Sequence, residues 1–314
     1  MTTPALEKFH RLEEHLTPFA FGKQEVVRLM LIPLLISGHI LIDDLPGVGK
    51  TTLSKAFARL LGRSFSRLQG TSDTLPQDIL GGEVFHAKTQ EFILRKGPIF
   101  EEIVLIDEIN RMHPKSQSAF LEAMEERHVT IGTHGLELPL IHLVLATQNP
   151  IEYSGTYPLP EAQRDRFSCV ITIGFPSRER QTAILEDQSY LDLDEQILNL
   201  PQLTTSEDIL AMREAVKHVA ISPEILSRLI TFAEWTRDPE TFRYGMSPRA
   251  LSVYAAGLRA NAVLEGREYV IPEDAIGLLI PFVRHRVEYL NSSVDDHGLA
   301  EILEKKYKEI FRGL

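Results

Sequence analysis

Apolar positions along this chain follow two periods, and the balance between them changes near Pro176. In the first half, short apolar runs of strand length alternate with helical stretches. The runs are HILID at 39–43, residues 64–69, strand 103–107, LIHLVLAT at 140–147 and ITIGF at 171–175. Between them, helical spacing predicts helices over 24–36, with Pro33 as a kink, over 50–61 up to Gly62, and over 115–126. PQDIL reads as a short helix. The following EVFHAKTQEFILRKGP reads as a hairpin with Lys88 to Gln90 at its tip, and HVTI, GTHG and LELP as a second hairpin. After Pro176 the helical period dominates, predicting helices over 177–187, 206–218, 223–236, 247–265, 272–283 and 296–312. Residues 188–205 read as a flexible spacer. Alternating strands and helices imply an α/β domain with a mainly parallel sheet, about 1–176. A separate helical domain should follow, about 190–314.

Length and composition agree with about two soluble domains. The chain has 314 residues, 43% hydrophobic and 25% charged. Its net charge of −11 argues against a basic track for nucleic acid. A single cysteine, Cys169, excludes an internal disulfide and a multi-cysteine metal site. The N-terminal MTTPALEKFHRLEEH carries acids and does not read as a signal peptide. The longest apolar stretch, Leu29 to Ile36, is too short to span a bilayer and is broken by Pro33. No membrane insertion is expected, and a reducing cytoplasm is the natural compartment. The eleven histidines show no paired metal spacing, so they read as structural or solvated. Cys169 and Trp235 read as core.

Two motifs carry the chemistry. DLPGVGKT at 44–51 lies between a strand and a helix. Gly47 and Gly49 let backbone N–H groups face phosphate oxygens, and Pro46, Val48 and Thr52 complete the loop. Lys50 would bring charge to the β and γ phosphates, and Thr51 a hydroxyl to Mg²⁺. Asp44 stands where the usual spacing has glycine. IVLIDEIN at 103–110 is an apolar strand ending in two acids. Asp107 would serve the metal and Glu108 would polarise the attacking water. Asn149 either orients that water or belongs to an ordinary turn in TQNP. Arg164 and Arg166, in EAQRDRF, are each placed to act as a finger on a neighbouring phosphate or to form a surface salt bridge. Spacing does not choose between them. Arg249, in GMSPRAL, opens a helix that Ser247 would cap.

The chain resembles the MoxR family of AAA+ ATPases over nearly its whole length. The resemblance rests on DLPGVGKTTL at 44–53, IDEINRMHPKSQSAFLEAMEERHVT at 106–130, LATQNPIEYSGTYPLPEAQRDRF at 145–167 and GMSPRAL at 245–251. It implies a P-loop AAA+ core with a C-terminal helical lid. It implies ATP and Mg²⁺, with Lys50 and Thr51 in Walker A and Asp107 and Glu108 in Walker B. Asn149 would be the first sensor, Arg166 a finger acting on the adjacent subunit, and Arg249 the second sensor, in cis or in trans. Arg164 stands where the family more often has an apolar residue. The resemblance further implies a homo-oligomeric ring, a hexamer, that remodels, assembles, activates or metal-loads partner proteins, with a von Willebrand factor A-domain protein as leading client. Residues near 83–96 match this clade's helix-2 insertion, and those near 127–139 the hairpin before the first sensor. In related machines both point to a central channel or partner face. Two rival readings are a nucleic-acid motor and a non-catalytic nucleotide-switched scaffold. The sparse charge of the first hairpin (Lys88, Arg95, Lys96) argues against the motor, and intact Lys50 and Glu108 against the scaffold.

Overall fold

Five parallel strands form the central sheet of the computed structural model, which describes residues 4–88, 90–150, 155–186, 192–291 and 294–313. In chain order they are β1 (Ile40–Asp43), β2 (Phe65–Gln69), β5 (Ile103–Asp107), β8 (Leu143–Gln148) and β9 (Cys169–Ile171). The spatial order is β2-β5-β8-β1-β9. Two hairpins supply the intervening numbers, β3–β4 (Gly81–His86, Glu91–Lys96) and β6–β7 (His128–Ile131, His134–Glu137). The central strands are apolar on both faces because helices cover both. Ile40, Ile42, Ile103, Leu105, Leu143 and Leu145 enter one apolar cluster. Their alternates Leu41, Val104, Ile106, Val144 and Ala146 enter the other.

The first cluster is the larger. It takes in helices α1 (Pro4–Leu16), α2 (Gln24–Leu35) and α3 (Lys50–Leu61), and runs on without a break into the C-terminal helices. The second packs under α4 (Pro76–Leu80) and α5 (Pro114–Glu126). Short helices α6 (Glu161–Arg164), α7 (Arg178–Glu186) and α8 (Leu193–Leu198) lead to the C-terminal bundle. That bundle is α9 (Ser206–His218), α10 (Pro223–Trp235), α11 (Pro248–Leu264), α12 (Pro272–Val283) and α13 (Asp296–Ile310). Its helices start where the sequence places hydroxyl caps. Thr205, Ser222 and Ser247 accept from the N–H groups of Asp208, Ile225 and Ala250.

Several expectations shift. Strand 140–147 begins at Leu143, since Leu140 is exposed. Strand 171–175 is instead Cys169–Ile171, because the chain leaves the sheet to deliver the N–H groups of Ile173 and Gly174 to the Asp44 carboxylate, at 2.6 and 2.7 Å. Part of the spacer at 188–205 is helical: α8 packs on α3 and Lys55 pairs with Asp194. Residues 187–191 lie outside the described residues, as do 151–154 and Thr89 at the first hairpin's tip. The C-terminal half also carries a small antiparallel pair, β10 (Phe242–Tyr244) with β11 (Glu288–Tyr289). Helix α1 is an addition to the predicted elements, and Leu6, Phe9, Leu12 and Leu16 carry its buried stripe.

The bundle is tied to the first half by polar links as well as by the shared core. Lys8 pairs with Asp208 at 2.7 Å. The Arg213 guanidinium donates to the carbonyls of Leu34 and Leu140. Arg286 is almost wholly buried. It pairs with Asp165 at 2.7 Å and donates to the carbonyls of Phe167 and Ser168. These bonds offset the cost of burying its charge.

Candidate active site

At the C-terminal end of β1 the chain turns through Gly47 (φ 85°) and Gly49 (φ 76°) into α3. A side chain at either position would be strained in that left-handed backbone. The turn leaves the first N–H groups of α3 without intrahelical partners, an anion-binding arrangement. Lys50 Nζ donates to the carbonyls of Asp44 (2.6 Å) and Leu45 (3.2 Å), so the side chain folds back along its own loop. Burial pulls its pKa below the usual lysine value; Asp44, Asp107, Asp43 and Glu108 pull it the other way. Asp44 is buried. Its Oδ1 accepts from Leu45 N at 2.8 Å, while Oδ2 takes the two N–H groups beyond β9. The unusual residue in the loop therefore closes the edge of the sheet against it.

β5 is the neighbour of β8, which is the neighbour of β1, so Asp107, Asn149 and the loop emerge along one edge. Thr147 Oγ1 donates to Asp107 Oδ1 at 2.6 Å and accepts from Glu108 N at 2.9 Å. Asp107 Oδ2 accepts from Thr51 Oγ1 at 3.4 Å and from the Arg67 guanidinium at 2.8 Å. Glu108 has φ 58° and ψ 52°, left-handed for a side chain that seldom adopts it. Its carbonyl lies where a Cβ on Gly70 would come within 2.5 Å, so the approach of that loop requires glycine. Glu108 Oε2 accepts from Gln69 Nε2 at 2.8 Å and pairs with Arg111 Nε at 3.0 Å. Two donors thus hold the carboxylate that the sequence marks as the base. Asn149 is buried one residue past β8, and its carbonyl accepts from Asn110 Nδ2 at 3.4 Å. Arg111 and Thr147 lie inside the stretches that carry the resemblance but with no role assigned there; Arg67 and Gln69 lie in no motif, and the register Gln69 to Asp107 is what brings these β2 side chains to the acids.

Beside the loop lies a cavity of about 990 Å³ lined by Gly47, Val48, Gly49 and Thr52 on one side and by Phe19, Phe21, Phe175 and Leu200 on others. An apolar slot next to an anion-binding turn suits a flat base joined to phosphates. Thr51 and Asp107 converge as oxygen donors, the kind a hard cation takes when phosphates complete its shell.

Arg166 and Arg249 are not at this edge. Both pair with Glu125, Arg166 Nε at 2.8 Å from Oε2 and Arg249 through Oε1. They line a second cavity, of about 300 Å³, together with Ser37, Gly38 and His39. Those residues precede β1, so the cavity lies at the other end of that strand from the phosphate loop. Arg164 acts electrostatically on Asp43, Tyr244 and His285, and its Nε is buried without a hydrogen-bond partner.

A parallel sheet ordered 5-1-4-3-2 by chain position, a phosphate loop after its first strand, an acidic pair on its third and a helical lid define an AAA+ P-loop ATPase. The model for the ATPase family associated with various cellular activities matches residues 39–169, and the AAA lid domain model matches residues 235–305. Chaperone MoxR1 of Mycobacterium tuberculosis is 38% identical over 291 residues, covering 90% of this chain and 76% of that one. Protein YeaC of Bacillus subtilis is 42% identical over 275 residues, covering 87% and 85%. The crystal structure of a candidate ATPase from Cytophaga hutchinsonii superposes with a TM-score of 0.86 at 31% identity, over 99% of this chain and 95% of that one. The chain belongs to the MoxR family of AAA+ ATPases.

Proposed function

We propose that this chain hydrolyses ATP at sites shared between neighbouring copies in a ring, a hexamer, and uses the cycle to remodel, activate or metal-load partner proteins. The observation carrying this reading is the pairing of Arg166 with Arg249 on Glu125, at the far end of β1 from the chain's own phosphate loop. Each arginine is partly exposed. Cationic groups there serve a phosphate brought by another subunit. The core would span about 1–176 and the lid about 190–314.

Lys50 and the loop from Pro46 to Thr52 bind and orient the phosphates, while the apolar cavity takes the base. Glu108 takes the proton of the attacking water, its carboxylate steadied by Gln69 and Arg111. Asn149 orients that water. Arg166 and Arg249 of the adjacent subunit hold charge on the γ-phosphate oxygens, so Arg249 acts in trans. Thr51 and Asp107 would hold Mg²⁺, which would supply further neutralisation of phosphate charge. Val84, Phe85, Phe92 and Ile93 are exposed on the β3–β4 hairpin, which suits a protein client better than a nucleic-acid backbone. A von Willebrand factor A-domain protein is the leading client.

Two measurements test this. Turnover per chain should rise with protein concentration as copies assemble; an equal rate in dilute monomer overturns the shared site. Glu108→Gln held in ATP should capture a protein client from native lysate that ADP releases. Recovery of nucleic acid and its binding proteins alone would favour a motor.

A further inference from the structure

We infer that Glu125 is a positioning residue for ATP hydrolysis: one carboxylate that sets a core arginine and a lid arginine side by side for the neighbouring subunit's phosphate. The inference rests on the shared-site reading above. Arg166 lies between α6 and β9, and Arg249 in the first turn of α11. The two therefore come from different structural units, which the shared core and the Arg286–Asp165 pair bring together. Glu125 sets how their guanidinium groups sit against each other. Its two oxygens take one guanidinium each.

The carboxylate is presented from a firm base. Glu125 lies in the last turn of α5, whose Phe120, Leu121, Ala123 and Met124 are buried in the second apolar cluster. The helix closes at Arg127, in left-handed geometry, with its N–H on the Ala123 carbonyl at 3.0 Å. The other acid nearby is committed: Asp165 pairs with buried Arg286. Arg127, which also lines the cavity, donates to the Ser37 carbonyl.

Without an anion, two guanidinium groups brought together repel each other. Glu125 offsets that repulsion and keeps the pair assembled. A terminal phosphate offers more charge and more acceptor oxygens than one carboxylate, so the arginines can turn to it without being brought together first. All three side chains are one-quarter to one-half exposed, which leaves them free to make that turn.

The test is steady-state ATP turnover by full-length Glu125→Ala, with Glu125→Asp and Glu125→Gln beside it. We expect kcat to fall about tenfold in Glu125→Ala with little change in the ATP concentration at half-saturation. Glu125→Asp should recover part of the loss, and Glu125→Gln less, since its amide offers an acceptor to one arginine only. In an Arg166→Ala, Arg249→Ala background the substitution should cost nothing more. Mixing Glu125→Ala with Glu108→Gln should restore turnover, because intact arginines then face intact bases. Unchanged or raised turnover in Glu125→Ala overturns the proposal, a rise meaning that Glu125 restrains the arginines. So does a further loss in the double-arginine background. If Arg166→Ala and Arg249→Ala also leave turnover unchanged, the shared-site reading itself has failed.

Discussion

The two ends of β1 are built differently. At its C-terminal end the groups satisfy one another within one chain: Lys50 on loop carbonyls, Thr147 between Asp107 and Glu108, Asp44 on the chain beyond β9. At its N-terminal end two arginines from separate units converge on a single carboxylate and stay open to solvent. The first end carries the phosphate loop. The second has charge to spare and no phosphate loop of its own. On the proposed shared-site reading, this separation of the two ends makes hydrolysis conditional on assembly.

Substitutions at the two ends should therefore fail in different ways. The largest effect should come from Arg166→Ala, which should lose about 10³ to 10⁵ in turnover while binding ATP normally. Glu108→Gln should show the same pattern of binding without turnover. Mixing the two should recover activity, since each supplies what the other lacks. Lys50→Ala should instead lose ATP binding itself, and no partner should rescue it. Equilibrium binding of a fluorescent ATP analogue separates the classes. If Arg166→Ala loses binding as Lys50→Ala does, the two ends are one site. Arg164→Ala should leave turnover near the parent value, because Glu125 is paired with Arg166 and Arg249.

Asp44 sharpens the comparison at the level of stability. Asp44→Gly restores the residue usual at that loop position, yet strips the acceptor from the N–H groups of Ile173 and Gly174. The expected cost is about 2–4 kcal/mol in denaturant unfolding, from one buried and one part-buried donor left unpaired. Asp44→Asn keeps one acceptor oxygen and should cost less. Equal stability of all three would mean that water takes over the role.

What could be read in advance follows the same division. The phosphate loop and the acidic pair are contiguous, and their chemistry depends on neighbours one to three residues away, so residue type and spacing announce them. Asp44 looked like a mere departure from the pattern because its partners lie 129 and 130 residues further on. The same bonds end β9 early, which no local propensity could indicate. Glu125 sits 124 residues from Arg249, in a helix where a surface acid is unremarkable. The resemblance supplied the roles of Arg166 and Arg249. Their meeting on one carboxylate comes from the way the bundle packs on the first half, with α11 against α2 and Arg286 on Asp165.

The smallest effect tests the end of β1 that holds the arginines. His39 and His142 sit there with rings 5.7 Å apart, and both are buried. Burial drives the His142 pKa down from 6.5 to about 4, against the pull of the Ile99 carbonyl; Arg127 pushes it the same way as burial. His39 is pushed in the same direction, by burial and by His142 and Arg127. A base with a depressed folded pKa is bound as the neutral form. Its stabilising contribution is complete above pH 6.5, where the unfolded chain is also neutral, and is lost as pH falls toward 4 and the unfolded chain takes up protons first. His142 alone should contribute about 2–3 kcal/mol of that loss. His142→Gln keeps an N–H donor for the Ile99 carbonyl and cannot titrate. Its unfolding free energy should therefore fall less steeply between pH 6.5 and 4 than the parent's, with the remaining slope due partly to His39 and to His285, which burial also holds neutral. An equally steep fall in the two proteins would show that His142 is not held neutral in the folded chain.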